Sequence, residues 1–465
     1  MRNKPNVILC ICDQLRAFET GVYGNGIIQT PHIDRLAEEG VRFEIAVTNN
    51  PVCMPARSCL LSGQYSRSCM GMLGNYAERR PDGTRYMSEY PVDDRVHMPE
   101  QTLPEVFKTL GYDTALIGKW HIQPSPGIVG FDYSLFPRVH HRHSGQIFVE
   151  NTGEGEVVDG FSVEFESDRV RQYLRGRRTQ NDPFFLYYSI SPPHMPLMDA
   201  PDHYLNRYHP QDIPLRPNVF KDGKLPFDDH WFKVYLWDFL HYDHHLPYTE
   251  KLPDGFDLRR LIALYYGMTT WVDDMIGRLR NELEESNLAD DTIIVFLSDH
   301  GDNLGSHHLF NKGQLIEESI RIPFVFHAPQ AWSAGVNTTH VAQIIDVMPT
   351  LITLCGGDIP DHVQGRSLSN LIFDHAILKD PEAFIETSDG KIGIRTPTAL
   401  YGIKTDPSTR TVIDDRFCFY DLIKDPYEQT NLLETSFDTK LTNNLRDQLL
   451  SWHESTPWLN NGDNP

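Results

Sequence analysis

Reactive side chains in this sequence gather where apolar runs stop, which is where α/β proteins bind ligands. Asp13-Gln14 closes an apolar run over residues 7–12, and Asp299-His300-Gly301 closes another over 292–297. Two carboxylates, an amide and an imidazole at two such strand ends make an oxygen and nitrogen donor set suited to one divalent cation. Ca2+ is the first expectation and Mn2+ the second, because an imidazole makes the set softer than oxygens alone. Lys119, in Gly118-Lys119-Trp120-His121, follows a third run over 114–117. An ammonium there, on a chain of formal net charge −22, is placed to bind an anion. Cys53, in Cys53-Met54-Pro55-Ala56-Arg57, stands at an expected helix start. Each group also has a bland reading: a core cysteine, a solvated lysine beside a core tryptophan and, for His194 after Pro192-Pro193, a structural histidine. Only the combination is specific.

Taken in order, the motifs resemble the sulfatase family, over nearly the whole chain. Cys53 with Pro55 and Arg57, followed by Leu60-Leu61-Ser62-Gly63, is similar to the signature in which the cysteine is oxidised to formylglycine; Met54 and Ala56 depart from its commoner form. The resemblance implies a hydrated formylglycine, a geminal diol in which one hydroxyl attacks sulfur and the other later expels sulfate. It also implies a helix N-terminus and Arg57 facing the developing negative charge. Asp13, Gln14, Asp299 and His300 would hold the cation, and a separate formylglycine-generating maturation enzyme would act on Cys53. By the same resemblance Lys119 holds a sulfate oxygen, His121 hydrogen-bonds the diol, and Lys312 bridges sulfate and leaving group. His194 would give a proton to the leaving oxygen, a task suited to a group that titrates near neutrality. Asn75 is expected near the mouth, in contact with substrate. The stretch Tyr420-Asp421-Leu422, Asp425-Pro426 and Glu428 to Asn431-Leu432 is similar to the family's characteristic ending and reads as structural.

Gln14 and His300, where the family more often has Asp and Asn, resemble the phosphonate monoester hydrolase branch. Phosphonate monoesters or phosphodiesters are therefore the alternative substrates, but Lys119 and His121, which that branch tends to lose, favour sulfate esters. A binding protein with an unmodified thiol is a third reading, which turnover would exclude. Arg138-Val139-His140-His141-Arg142-His143 is a basic patch expected to meet substrate through Arg138, His141 and His143. Aromatic residues over 222–252 could stack on sugar rings. The expected substrate is small and anionic: a sulfated carbohydrate attacked at its end, with an aryl or alkyl sulfate as the alternative.

Positioning these groups needs a sheet. Apolar runs at 7–12, 114–117, 184–190, 292–297 and 323–327 alternate with helical patterns at 102–110, 163–174, 258–283 and 343–354. Continuously apolar strands alternating with helices predict an α/β fold: a large, mostly parallel central sheet sandwiched by helices. After about residue 370 the runs become shorter and more polar, at 383–387, 391–395, 400–404 and 417–422, before an amphipathic stretch at 440–452. We therefore expect a catalytic α/β domain over 1–370 and a smaller subdomain over 371–465, with an antiparallel sheet and a closing helix. Segment 222–252 reads as an insertion over one face of the large sheet.

Hydrophobic residues make 40% of the chain and charged ones 23%, the composition of a folded globular protein. The acidic balance disfavours nucleic acid and anionic membrane as partners. The first apolar run, six residues long, is too short for a signal-peptide core or a membrane span, so the chain as written reads as cytoplasmic unless an export signal has been trimmed. Seven cysteines without paired spacing argue against a disulfide framework.

Overall fold

The computed structural model of the 465-residue chain describes all but residues 1–3, 76–77, 80–84, 87–90, 139–140, 220–228, 237–256, 329–331, 333, 375–379, 435–438 and 460–465. Most of the expected insertion at 222–252, and Val139 and His140 of the basic patch, thus lie outside the described residues.

In chain order the strands are β1 (Asn6–Asp13), β2 (Val41–Val47), β3 (Glu78–Arg79), β4 (Arg85–Tyr86), β5 (Asp113–Gly118), β6 (Tyr133–Pro137), β7 (Ile147–Glu150) and β8 (Gly155–Val157). They continue with β9 (Phe184–Pro193), β10 (Thr292–Ser298), β11 (Phe324–His327), β12 (Gly335–Gln343), β13 (Ala383–Glu386), β14 (Lys391–Arg395), β15 (Ala399–Thr405) and β16 (Val412–Asp421). A ten-stranded sheet runs in the order β12-β2-β11-β10-β1-β9-β5-β6-β7-β8. Its centre, from β10 through β1, β9 and β5 to β6, is parallel throughout, and β12 pairs parallel with β2. The other junctions are antiparallel.

Every residue of β1, β9 and β10 is buried, the mark of strands covered on both faces, which is why they read as unbroken apolar runs. Alternate residues face opposite cores. Ile8, Cys10, Leu186 and Phe296 join helices Pro31–Glu39, Ser162–Arg177 and Leu258–Glu285 in one apolar cluster. Leu9, Ile11, Tyr187 and Val295 pack on the other side against Cys53–Ser62, Leu103–Thr109 and Val347–Leu354. Strands β13 to β16 form a separate four-stranded antiparallel sheet, followed by helix Thr439–Ser455. Its Ile392, Ile394 and Tyr401, with Leu449 of the helix, belong to the same cluster as Leu9, so the smaller sheet shares the core of the larger one.

One expected element is divided. The pattern over 343–354 suggests a single helix, but Gln343 ends β12, a 3-10 turn covers Ile344–Asp346, and the helix is Val347–Leu354. The Asp346 carboxylate accepts a hydrogen bond from Gln343 N at 3.0 Å and closes a capping box, so helical geometry begins only after that turn. Among the described residues no helix is long and apolar enough to cross a membrane, and none of the seven cysteines is in a disulfide.

Candidate active site

Cys53 is the first residue of a helix buried along its whole length, Cys53–Ser62, so packing fixes its position. Asn75 caps that helix from outside: its Oδ1 accepts from Met54 N at 3.1 Å. Cys53 Sγ lies 3.2 Å from His300 Nε2 and 3.8 Å from Asp13 Oδ1, and accepts from Lys312 Nζ at 2.9 Å. Arg57, one turn further along the helix, projects toward the same place. Its Nε donates to Asp299 Oδ2 at 2.9 Å, Nη1 to Ser189 Oγ at 2.7 Å and Nη2 to Asp13 Oδ2 at 3.3 Å. One guanidinium thereby joins the ends of β1 and β10 to the middle of β9.

The parallel register of β1 on β10, with Cys12 opposite Ser298, brings Asp13 beside Asp299. Asp13, Cys53, Asp299 and His300 each offer a ligand atom within 4.8 Å of the others, and all four are buried. Gln14 completes the set. Its Nε2 donates to Asp302 Oδ2 at 2.6 Å, Tyr235 OH at 2.8 Å and Asn311 Oδ1 at 3.1 Å, while Oε1 accepts from Lys312 Nζ at 2.8 Å. These partners decide which end of the amide is oxygen and turn that oxygen toward Lys312 and Cys53. Gln14 has a φ of 69°, a left-handed conformation that costs energy for a residue with a side chain and concentrates at functional sites. Two carboxylates, an imidazole and an amide oxygen fit a divalent cation.

The local field is strong. Burial alone would raise the Asp13 pKa, but Lys119, His194, Lys312 and Arg57 outweigh it and hold the carboxyl well below its ordinary range. Burial pulls His300 down to about 4 although Asp299 opposes it. Its Nδ1 lies 2.9 Å from Gly301 O and must carry the proton, so Nε2 presents a lone pair to the site. Burial and then Asp13 raise the Cys53 thiol, which makes the unmodified side chain a poor nucleophile at neutral pH. Burial works against the ammonium of Lys312, yet Cys53, Asp13 and Asp299 raise its pKa and keep it charged.

Strand β5 ends at Gly118, with φ 102°, against Ser189; an added Cβ would sit 1.9 Å from Ser189 O, so only glycine lets the chain turn there. That turn delivers Lys119, fully buried, onto Asp13 Oδ2. His194 Nδ1 lies 2.5 Å from Met195 O, which assigns the proton to Nδ1 and a lone pair to Nε2. Its ring stacks on His141 at 4.4 Å and 11°, and His141 meets His121 edge-on at 5.5 Å. Burial and the nearby Lys312 hold the His194 pKa well below its ordinary value, so the imidazole is neutral until an anion offsets that field.

The structure thus gathers Asp13, Gln14, Cys53, Arg57, Lys119, His194, Asp299, His300 and Lys312, with Asn75 at the helix start and His121 and His141 in the histidine group. The basic patch divides. His143 is buried with Nε2 3.0 Å from His194 O, and Asp199 accepts from its backbone N at 2.7 Å, so it braces the loop carrying His194. Arg138 is exposed and lines a separate cleft with Phe131 and Asn151. Ser189, Tyr235, Asp302, Asn311 and Asp199 were not among the residues picked from the sequence. Asp302 carried a usable signal, three residues after Asp299 in an Asp-His-Gly-Asp run; Tyr235, from helical residues 230–236, lies in the aromatic segment 222–252 expected to stack on sugar rings, but its hydroxyl bonds Gln14 and Asp302 instead.

Residues 5–357 match the family described as Sulfatase, and residues 305–455 match N-sulphoglucosamine sulphohydrolase, C-terminal. The chain is 30% identical over 461 residues to an ulvan-active sulfatase of Formosa agariphila, covering 96% of this chain and 80% of that protein. It is 27% identical to an N-acetylglucosamine-6-O-sulfatase of Bacteroides thetaiotaomicron, over 79% of this chain and 71% of the relative. A solved structure in complex with D-glucosamine-2-N,6-O-disulfate superposes with a TM-score of 0.79 at 24% identity, covering 97% of this chain and 98% of the other, and shows the same fold. Fold, strand-end donors and family match agree: the chain belongs to the sulfatase family of the alkaline phosphatase superfamily and is a sulfuric ester hydrolase.

Proposed function

We propose that this enzyme removes sulfate from a sulfated carbohydrate, using formylglycine made from Cys53 and one divalent cation, Ca2+ as first choice. The observation that carries the reading is the setting of Cys53 Sγ: at a buried helix start, 3.2 Å from His300 Nε2 and 2.9 Å from Lys312 Nζ. Sγ stands in for the oxidised side chain, which a separate maturation enzyme would install. Two relatives named for sulfated sugars or polysaccharides, the ulvan-active sulfatase and the N-acetylglucosamine-6-O-sulfatase, support the substrate class.

Asp13, Gln14, Asp299 and His300 would hold the cation. When bound, the cation would anchor and polarise the oxidised side chain, which would supply the attacking hydroxyl. Arg57 keeps the two carboxylates in place by bonding both. Lys119 and Lys312 bring ammonium groups to the sulfate oxygens, where charge develops. A sulfate ester offsets the field of Lys312, and His194 can then take a proton at Nε2 and give it to the leaving oxygen. His121 would hold the proton released at position 53, and Asn75 and His141 would border the substrate. Phosphonate monoesters remain the second reading because Gln14 and His300 are both present; Lys119 on Asp13 weighs against them. We assign catalysis to 1–370 and a supporting role to 371–465.

Peptide mass spectrometry of Cys53, with parallel assays on an aryl sulfate, a sulfated monosaccharide and a phosphonate monoester, tests this. A peptide about 18 Da lighter than the thiol form, with sulfate esters cleaved faster, is the expected result. An unmodified thiol in active enzyme refutes the nucleophile, and faster phosphonate cleavage refutes the substrate class.

A further inference from the structure

A second group of metal-ligating side chains lies outside this centre. His307, Glu318 and Glu428 each offer a ligand atom within 4.8 Å of the others. Glu318 and Glu428 are only 1% and 2% exposed. Glu318 Oε1 accepts from Asn218 Nδ2 at 2.8 Å and Arg216 Nε at 3.0 Å, and Glu428 Oε2 accepts from Glu317 N at 2.8 Å. The second oxygens, Glu318 Oε2 and Glu428 Oε1, are buried without a hydrogen-bond partner among the described residues, as is Asn218 Oδ1. Glu318 Oε2 faces His307 Nε2 at 4.0 Å. That nitrogen also lies 3.1 Å from Asn218 Nδ2. Buried carboxylate oxygens left unpaired cost several kcal/mol in an apolar interior, roughly. Among the described residues no arginine bonds Glu428: Arg395 is taken by both oxygens of Glu317, and Arg216 by Glu318. Burial, Glu317 and Glu318 accordingly push the Glu428 carboxyl well up.

We propose that His307, Glu318 and Glu428 form a second divalent-cation site, structural in role and separate from the catalytic donors. One imidazole and two carboxylates suit Zn2+, a borderline ion, or Mn2+, a harder ion that carboxylates favour; Ca2+ seeks six to eight oxygens. The ion would join three segments. Glu428 follows β16; His307 lies on the loop between His300 and Lys312; Glu318 belongs to the short helix Glu317–Ile320, against which that loop rests through Gly301 N donating to Ser319 O at 2.9 Å. Binding would fasten the smaller sheet to the loop that carries two catalytic side chains, whatever ester the enzyme cleaves.

The test uses the full chain, stripped with chelator, reloaded with Mn2+, dialysed, and assayed for bound metal by mass spectrometry. Wild type should retain two equivalents, and His307→Ala and Glu428→Gln one each, with at least a third of the aryl sulfatase activity kept. Glutamine retains an acceptor for Glu317 N, so E428Q guards against simple misfolding. In D13N, which weakens the catalytic site, Mn2+ should still raise the melting temperature, and adding His307→Ala should abolish the response. A single equivalent in wild type that His307→Ala also retains overturns the proposal. So does a crystal grown with Mn2+ that shows no anomalous peak between His307 and Glu428.

Discussion

Replacing His194 by alanine separates proton donation from mere positioning. A sugar alkoxide is a poor leaving group and needs a proton as the S–O bond breaks, whereas 4-nitrophenolate leaves unaided. General acid catalysis is worth roughly 10² to 10⁴ in rate, which is about 3 to 5 kcal/mol of barrier. The substitution also removes the contact of Nδ1 with Met195 O and the stack on His141. Those losses come to about 1 kcal/mol each and weigh equally on every substrate. With kcat on a monosaccharide sulfate followed by ion chromatography, and on 4-nitrophenyl sulfate by absorbance, the ratio of the two losses isolates the acid. We expect the sugar ester to lose at least a hundredfold more than the aryl ester. The pH dependence gives an independent check of sign. The His194 pKa is depressed, so in the free enzyme its proton-donating form declines as pH rises through that lowered value. Wild-type kcat/KM on the sugar ester should therefore fall from acid toward neutral pH, through a limb missing in the His194→Ala variant. Equal losses on both esters, with that limb retained, would refute proton donation and leave His194 a bracing residue.

Arg57→Lys keeps the charge but loses the planar fork that reaches Asp13, Asp299 and Ser189 together. Two lost charge-assisted bonds, about 1.5 kcal/mol or more each, predict a drop of about a hundredfold or more in kcat/KM; a loss under threefold would remove Arg57 from the donor-holding role. His300→Asn exchanges nitrogen for oxygen, so isothermal titration of the catalytic site should show the Mn2+ to Ca2+ affinity ratio falling about tenfold or more; an unchanged ratio would show that His300 is not a ligand. Glu166 is buried with both oxygens unpartnered among the described residues, and burial raises its pKa well above 4.5. The folded chain then keeps a proton that the unfolded chain releases, so stability declines as pH rises from the ordinary carboxylate range toward the raised value. In urea melts at pH 5 and pH 8, Glu166→Gln should lessen that decline by an amount on the order of 2 kcal/mol; parallel slopes would count against a buried neutral acid at this position.

The strands that carry chemistry were legible because burial on both faces strips them of polar residues. The runs at 7–12 and 292–297 fall inside β1 and β10. β2 was not legible: Arg42 and Glu44 interrupt Val41, Phe43 and Ile45, and its place between β11 and β12 rests on pairings with segments about 280 and 300 residues away. The run of β11 was legible at 323–327, but its antiparallel direction was not, since direction is a property of the pair and not of the run.

The site divides along a similar line. Cys53, Asp13, Asp299 and Lys119 announce themselves because each sits at the end of an element with a residue type seldom buried without a partner. Tyr235 and Asn311 do not, although they help decide which end of Gln14 faces the cation site. If the Gln14 amide were turned round, its nitrogen would face Lys312 Nζ, one donor against another, and its oxygen would meet Asp302 Oδ2. Tyr235 OH donates to Asp302 Oδ2 at 2.5 Å, and Asp302 is raised by burial yet opposed by Tyr235 and Gln14, so the carboxylate and amide are mutually fixed. The residue that makes this site unlike the commoner aspartate version thus works only because residues from a helix over 230–236 and the loop after His300 supply its partners. Gln14→Asp alone would set a new carboxylate against that of Asp302, so reverting the ligand without also changing Asp302 should weaken the centre.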